Sequence, residues 1–359
     1  MSLWPRLMVY HDKIAHNAAR IVSLCRQWNI GIYGVTKGIC AQKDIVRILL
    51  ENGCEGVADS RIENVYRMKK EMGVTIPIMM LRTPMLNEVS EVVEYCDSSV
   101  VSEVETIRAL DQECSFHGKQ DYKVLLMIDL GDLREGIWPD ELENITAAFK
   151  KCRYVHCMGV GANFACFGGI LPSSDKLREL GCLSQQLEGQ LGYPMKLCSG
   201  GATSSLFLLE DGTMPRCVNS LRIGEGIFLG TDSSGMRVIP YLHQGTMVLE
   251  TEIIEIKRKP SLPQGRAMAN AFGEIPAFTD RGWRLRAITA VGRQDVKIEG
   301  LAPLEKGIEI LGATSDHMVL DVEESERQLH VGDRLHFSVD YSAMLALTTS
   351  PYVSVHMIR

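Results

Sequence analysis

The sequence predicts a (β/α)8 TIM-type barrel over residues 1–235 followed by an all-β domain over residues 236–359. Three observations carry that expectation. Up to about residue 235, short apolar runs alternate with helix-period segments in about eight units. The apolar runs show no polar alternation, as befits parallel strands covered by helices. Beyond residue 236 the pattern turns to apolar–polar alternation broken by turn signals.

The units follow in order. After Leu7–Tyr10, "DKIAHNAARIVSLCRQW" places Ile14, Ala18, Ile21, Val22 and Cys25 on one helical stripe. "IGIYGVTK" reads as a buried strand, and Ile45, Ile48 and Leu49 stripe the next helix up to Asn52-Gly53. "GVADS", "IPIMMLR", "SSVVS", "YKVLLMIDLG", "YVHCMGVGAN", "MKLCSGG" and "SLRIGEGIFLG" supply further strands, most with a helical segment behind them. "TMVLETEIIEIKRK", "HMVLDVEE", "DRLHFSV" and "YVSVHMI" are strands of the second domain, where no long helix is expected. A doubly wound sheet is the alternative for the first domain. It calls for an early GxGxxG turn, and the sequence has none.

A net charge of −7 argues against nucleic acid or an anionic membrane surface as partner. Eleven cysteines without a CxxC pair fit reduced thiols, and neither a membrane-spanning run nor a signal peptide is read. A cytoplasmic protein is expected.

Chemistry in a barrel gathers at the C-terminal ends of the strands. Those ends bring together Lys37, Arg134, Asn163, "SGGATSS" and "RIGEG". In "SGGATSS", two glycines and the hydroxyls of Thr203, Ser204 and Ser205 can surround an anion, and Gly224 and Glu225 add backbone donors. Taken alone, that segment reads more readily as a plain strand-to-helix turn with Ser capping; the second, adjacent set of donors favours the anion reading. Lys37, on its own an ordinary strand-end cation, gains meaning beside a phosphate cradle: pyridoxal phosphate needs an amine at one end and an anion anchor at the other. Arg222 can face a pyridine nitrogen, which an always-protonated guanidinium leaves unprotonated, a setting for simple α-proton transfer. The plain alternatives are an Arg222–Glu225 ion pair, and a bridge from Arg134 to Asp129, Asp132 or Glu135.

"YGVTKG", "IDLGDLREG", "SGGATSS" and "LRIGEGIFLG" together resemble the fold-type III pyridoxal-phosphate enzymes, the alanine racemase class. With "GANFACFGG", "VGRQDV" and "GATSDH", the wording is closer to the ornithine racemase branch, and the likeness covers nearly the whole chain. The resemblance implies a homodimer in which the partner's β-domain completes each site, with Lys37 carrying the cofactor and acting as base. It implies cofactor contacts from Asn163, Thr203, Ser204, Ser205, Arg222, Gly224 and Glu225, and substrate contacts from Arg134, Arg293 and Asp316. The family places its second base on a tyrosine in "GY.DGY", where this chain has "VGRQDV" and Arg293. Arginine is a poor base, so the role falls to Asp316, His317 or Tyr352, with Ser315 and Tyr341 also within the candidate segments. Asp316 also resembles the acid that holds the distal amine in ornithine decarboxylases.

The expected activity is therefore racemisation of ornithine or another basic amino acid. An alanine or broad-specificity racemase and a decarboxylase of the same fold are the alternatives. A non-catalytic cofactor carrier of this type has no β-domain. An aldolase calls for a metal, and His317, His330 and His336 make no ligand set, so no metal is expected.

Overall fold

The computed structural model describes residues 4–359. The chain divides into two compact units, Asp12–Gln244 and the segment up to His11 together with Gly245–Arg359.

The first unit is a closed barrel of eight parallel strands: β2 (Gly31–Val35), β3 (Gly56–Asp59), β4 (Ile78–Met80), β5 (Ser98–Val101), β6 (Tyr122–Ile128), β7 (Val155–Ala162), β8 (Leu197–Ser199) and β9 (Ser220–Ile223). β9 pairs back onto β2 through Gly31 opposite Ser220 and Gly34 opposite Ile223. Val35, Ala58, Met79, Val100, Leu125 and Met127 pack against one another from neighbouring strands and form a buried core. The helices are α1 (His11–Arg26), α2 (Lys43–Glu51), α3 (Ile62–Tyr66), α4 (Val89–Tyr95), α5 (Val104–Phe116), α6 (Leu142–Phe149), α7 (Ser174–Leu191), α8 (Leu206–Glu210) and α9 (Glu225–Leu229). Their apolar stripes are buried, as Ile45, Val46, Ile48 and Leu49 of α2 are. Ser173 caps α7 by accepting the Lys176 N–H at 3.3 Å.

The second unit is an eight-stranded sheet with β12 (Met247–Pro260) at its centre. Its path runs β14 (Leu301–Pro303), β17 (Arg334–Val339), β12, β13 (Trp283–Thr289), β16 (Met318–Asp321), β15 (Glu309–Ala313). β1 (Arg6–Tyr10) joins this sheet, antiparallel to β12 and parallel to β18 (Ser354–Ile358). Leu7–Tyr10, read from sequence as opening the barrel, thus belongs with the C-terminal strands. The division also lies past residue 235. A short hairpin, β10 (Thr231–Asp232) with β11 (Arg237–Val238), stays with the barrel unit. So does the segment to Gln244, because Asn17 of α1 donates to the His243 carbonyl at 2.9 Å and accepts its N–H at 2.7 Å. A helix not expected from sequence, α10 (Tyr341–Thr349), is capped by Asp340, which accepts the Ala343 N–H at 2.8 Å.

Candidate active site at the barrel mouth

One residue, Thr36, separates Lys37 from β2, and Lys37 opens a single helical turn, Lys37–Ile39. The turn is fixed from below. Thr36 donates its hydroxyl to Asp59 at 2.6 Å and its N–H to the Ala58 carbonyl at 2.9 Å. Asp59 is fully buried and also accepts the Arg61 N–H at 2.9 Å and Asn64 Nδ2 at 3.1 Å. Burial pushes the Asp59 carboxyl up, and the Thr36 hydrogen bond works against that shift. Beyond Lys37, Cys40 and Ala41 take left-handed backbone at φ 48° and 46°, and Arg67 secures them by donating to the Cys40 carbonyl at 2.7 Å. The Lys37 amine itself has no hydrogen-bond or ion-pair partner among the described residues. Burial pulls its pKa below the ordinary lysine value; Arg134 adds to the shift, while Cys166, Glu135 and Asp59 oppose it.

Thr36→Val keeps the shape and removes the donor to a buried carboxylate. Unfolding should become easier by about 1–3 kcal/mol at neutral pH. An unchanged denaturant midpoint would show that the Thr36–Asp59 bond does not hold the turn.

Arg134 and Glu135 stand on the loop after β6. That loop folds back on itself: Asp129 N–H donates to the Ile137 carbonyl at 2.9 Å, and Asp129 Oδ1 accepts the Gly131 N–H at 2.8 Å. Gly136, at φ 140°, passes so close that a Cβ would lie 2.5 Å from the Asp129 nitrogen, so only glycine fits. Arg134 pairs with Glu135 through Nε and through a terminal nitrogen at 2.6 Å. Asp129 and Asp132, the other acids weighed from sequence, bind backbone instead. Asp132 accepts the Cys166 and Phe167 N–H groups at 3.1 and 3.0 Å, which locks the loop after β7 to the loop after β6.

Asn163 follows the last residue of β7 and stands between two charged groups. Its Nδ2 donates to Glu135 at 2.8 Å and its Oδ1 accepts from Arg222 at 2.9 Å. Arg222, 3% exposed, also donates to the Ala162 carbonyl at 2.8 Å and, through its other terminal nitrogen, to the Ser199 hydroxyl. Burial pulls its pKa down to about 10, so the guanidinium keeps its charge at neutral pH. The expected alternative, an Arg222–Glu225 pair, does not form. Glu225 turns away and accepts Thr231 Oγ1 and the Ser233 N–H, both at 2.8 Å.

The anion cradle is built from two adjacent turns. Gly201, at φ 105°, opens the turn after β8, and a Cβ there would lie 2.7 Å from Ser205 Oγ. Of the three hydroxyls read from sequence, two are engaged within the fold. Ser205 donates to the Gly200 carbonyl at 2.6 Å, and Thr203 accepts the Gly226 N–H at 3.1 Å, joining this turn to the one after β9. Ser204, 4% exposed, keeps its hydroxyl without a described partner. The N–H groups of Ala202, Thr203 and Ser204 and of Gly224 and Glu225 likewise donate to no described group. Gly224 lies beside the Lys37 strand, its Cβ position 3.3 Å from the Val35 carbonyl. Five such N–H groups and a hydroxyl, on two turns joined by the Thr203–Gly226 bond, are the kind of donor set that a phosphate calls for. Arg222 has five N–H donors and three are engaged, which leaves one on a terminal nitrogen and the one on Nε for a ring acceptor. An unpartnered amine, an unpartnered anion cradle and a guanidinium with spare donors fit pyridoxal phosphate.

The remaining sequence candidates lie in the sheet unit. Asp316 and His317 form the turn between β15 and β16, where Asp316 Oδ1 accepts Ser315 Oγ at 3.0 Å and faces His317 Nδ1 at 3.1 Å. The Ser315 hydrogen bond holds the Asp316 carboxyl below its usual range. Arg293 joins that turn by donating its N–H to the Thr314 carbonyl at 2.9 Å. Its guanidinium is occupied by Glu274 at 2.7 Å and lies 4.4 Å from the centre of the Phe272 ring. Tyr352 is exposed; its N–H donates to Ser350 Oγ at 3.2 Å, and Ser350 donates to Asp295 at 3.0 Å. Sequence reading missed the linking roles of Glu135, Asp132 and Thr36. The run "DLREG" was the visible signal for Asp132 and Glu135, since an acid beside Arg134 and before a glycine marks a tight, charged loop; Thr36 carried none beyond its place before Lys37.

Among the described residues no helix is long and apolar enough to cross a membrane. The chain is 41% identical over 351 residues to lysine racemase of Thermotoga maritima, covering 98% of each. It is 36% identical over 358 residues to ornithine racemase of Acetoanaerobium sticklandii, covering 99% of this chain and all of that one. Its fold matches crystalline alanine racemase from D-cycloserine-producing Streptomyces lavendulae with a TM-score of 0.77 at 16% identity, over 100% of this chain and 98% of the other. Residues 9–232 match the family described as alanine racemase, N-terminal domain, and with that match this barrel-and-sheet chain belongs to the alanine racemase family.

Proposed function

We propose that this protein is a pyridoxal-phosphate-dependent racemase of basic amino acids, lysine or ornithine being the first to test. The observation that carries the reading is Lys37, an unpartnered amine beside an unpartnered anion cradle in a barrel mouth. Near end-to-end likeness to a lysine racemase and an ornithine racemase supports the choice of substrate class. Members of the alanine racemase family generally depend on pyridoxal phosphate.

The cofactor, when bound, supplies the electron withdrawal that acidifies the substrate Cα–H. The chain supplies position and proton transfer. Ser204 and the N–H groups of Ala202, Thr203, Gly224 and Glu225, which donate to no described group, would hold the cofactor's phosphate. The spare N–H groups of Arg222 would be available to the ring nitrogen, and a guanidinium that only donates would leave that nitrogen unprotonated, limiting electron withdrawal to what one proton transfer needs. Lys37, its pKa lowered, takes or returns the Cα proton on one face.

Racemisation needs a second acid/base on the other face. His317 has the apt geometry: Nδ1 faces Asp316 at 3.1 Å and Nε2 has no described partner. Tyr352 is the second candidate. As an arginine bonded to Glu274, Arg293 serves binding rather than proton transfer. In this reading the protein is a homodimer and these residues complete the partner's barrel mouth. Sedimentation of the holoenzyme as a single protomer mass would remove that step. All eleven cysteines are free, which accords with a reducing cytoplasm.

The test is Cα deuterium exchange and loss of optical activity over a panel of L- and D-amino acids, with carbon dioxide release measured alongside. Lysine and ornithine should racemise fastest. Decarboxylation without chirality loss, or no exchange with any amino acid, would overturn the proposal. Asp316→Asn should raise KM for ornithine and lysine about tenfold, with little change for alanine; an equal change for all three would remove Asp316 from side-chain recognition.

A further inference from the structure

The sequence reading gave Glu135 only the part of one ion-pair partner weighed for Arg134, yet it sits at the junction of the site. Its carboxylate receives Arg134 through two nitrogens and Asn163 Nδ2 at 2.8 Å, and Asn163 Oδ1 receives Arg222 at 2.9 Å. Four side chains therefore form one polar line from an exposed cation to a buried one. Two properties of this line matter. None of the three described partners of Arg222 is charged, so its nearest linked carboxylate stands one amide away. In addition, a carboxylate only accepts and a guanidinium only donates, so a single orientation of the Asn163 amide satisfies both neighbours.

We infer that Glu135 is a positioning residue: it fixes the Asn163 amide, through it aims the spare donors of Arg222, and it neutralises Arg134 beside Lys37. The inference rests on the proposed cofactor site and adds to it a member that touches neither cofactor nor substrate. The loop is shaped for the task. Gly136 lets the loop pass against the Asp129 backbone, where a Cβ would clash, and Asp132 ties the Asn163 loop to the Glu135 loop, so the donor and acceptor stand on two loops fastened together. Both Glu135 oxygens face donors, which leaves this carboxylate poorly placed to take a substrate ammonium.

Glu135→Gln keeps the shape but removes the charge and adds a donor. Asn163 is then free to turn its NH2 toward Arg222, and the Arg134 charge acts on Lys37 without its counter-ion. The experiment uses full-length apoprotein of wild type, Glu135→Gln, Asn163→Ala and the double variant, each titrated with pyridoxal phosphate and followed by visible absorbance. Glu135→Gln should bind about tenfold more weakly. The pH midpoint of its association rate should move down, because only the free amine of Lys37 reacts and Glu135 is one of the groups holding that amine protonated. The double variant should be no weaker than the weaker single one, because both act through one line. An unmoved affinity and pH midpoint in Glu135→Gln, fully additive effects, or a lowered melting temperature with an unmoved midpoint would each overturn the inference. A wild type that develops no visible band overturns the cofactor site and this inference with it, whereas normal wild-type binding with unmoved variants overturns the inference alone.

Discussion

Lys37→Ala should abolish the visible absorbance formed with pyridoxal phosphate and lower racemisation by at least about 10⁴-fold, the upper range for loss of a general acid/base, compounded here by loss of the cofactor's attachment. The fold should survive the change. Lys37 has no hydrogen-bond or ion-pair partner among the described residues, so its removal orphans no polar group and relieves a partly buried charge. Its titration gives a second, independent check. The folded-state pKa lies below the ordinary lysine value of 10.5, so between the two the unfolded chain binds the extra proton. Stability of the apoprotein should then rise with pH across that window, and Lys37→Ala should lose that slope. Denaturant midpoints for both proteins from neutral pH to about pH 10.5 measure it. A Lys37→Ala protein that still forms the visible band, or still racemises, would place the reactive amine elsewhere in the chain.

The strand ends made most of this site readable in advance. Eight two-face-apolar runs implied a barrel, and a barrel gathers strand ends, so Lys37, Arg222 and the two glycine-containing turns could be collected before any coordinates. What escaped the sequence depends on direction and pairing. Nothing in Leu7–Tyr10 says which sheet its backbone will join, and it is the β12 and β18 ladders that decide. "YSAMLALTT" is apolar on most sides and so lacks the stripe that marks a surface helix; the Asp340 cap was the better signal. Glu225 is three residues from Arg222, but the helix that starts at Glu225 turns its carboxylate toward Ser233. The same limit hid the Glu135–Asn163 bond. It joins the ends of two neighbouring strands, and residue spacing carries no information about where two side chains from different strands point.

Arg222→Lys should be nearly as damaging as the loss of Lys37, although it keeps the charge. The guanidinium spans three acceptors on two neighbouring strands at once: Ser199 at the end of β8, and Ala162 and Asn163 at the end of β7. It can do so because its donors are spread over a rigid plane. Lysine concentrates three donors on one nitrogen, so it reaches one or two of these acceptors and leaves none to aim at a ring nitrogen. The unreached acceptors are buried, and an ammonium is costlier to desolvate than a guanidinium. The expected result is a fall in kcat/KM of about 10²–10³-fold together with a stability loss of about 2–4 kcal/mol, the cost of leaving buried polar groups unpaired. Stability measured on the apoprotein separates the two effects, since it reports the strand-to-strand bonds without the ring. A loss of stability with near-normal kcat would reduce Arg222 to a brace between β7, β8 and β9. A loss of kcat with unchanged stability would mean that the bonds to Ser199, Ala162 and Asn163 contribute little and that Arg222 acts on the ring alone. Only the joint loss fits a cation that braces β9 against the ends of β7 and β8 and that, with the donors it has left, would set how strongly a bound ring withdraws electrons.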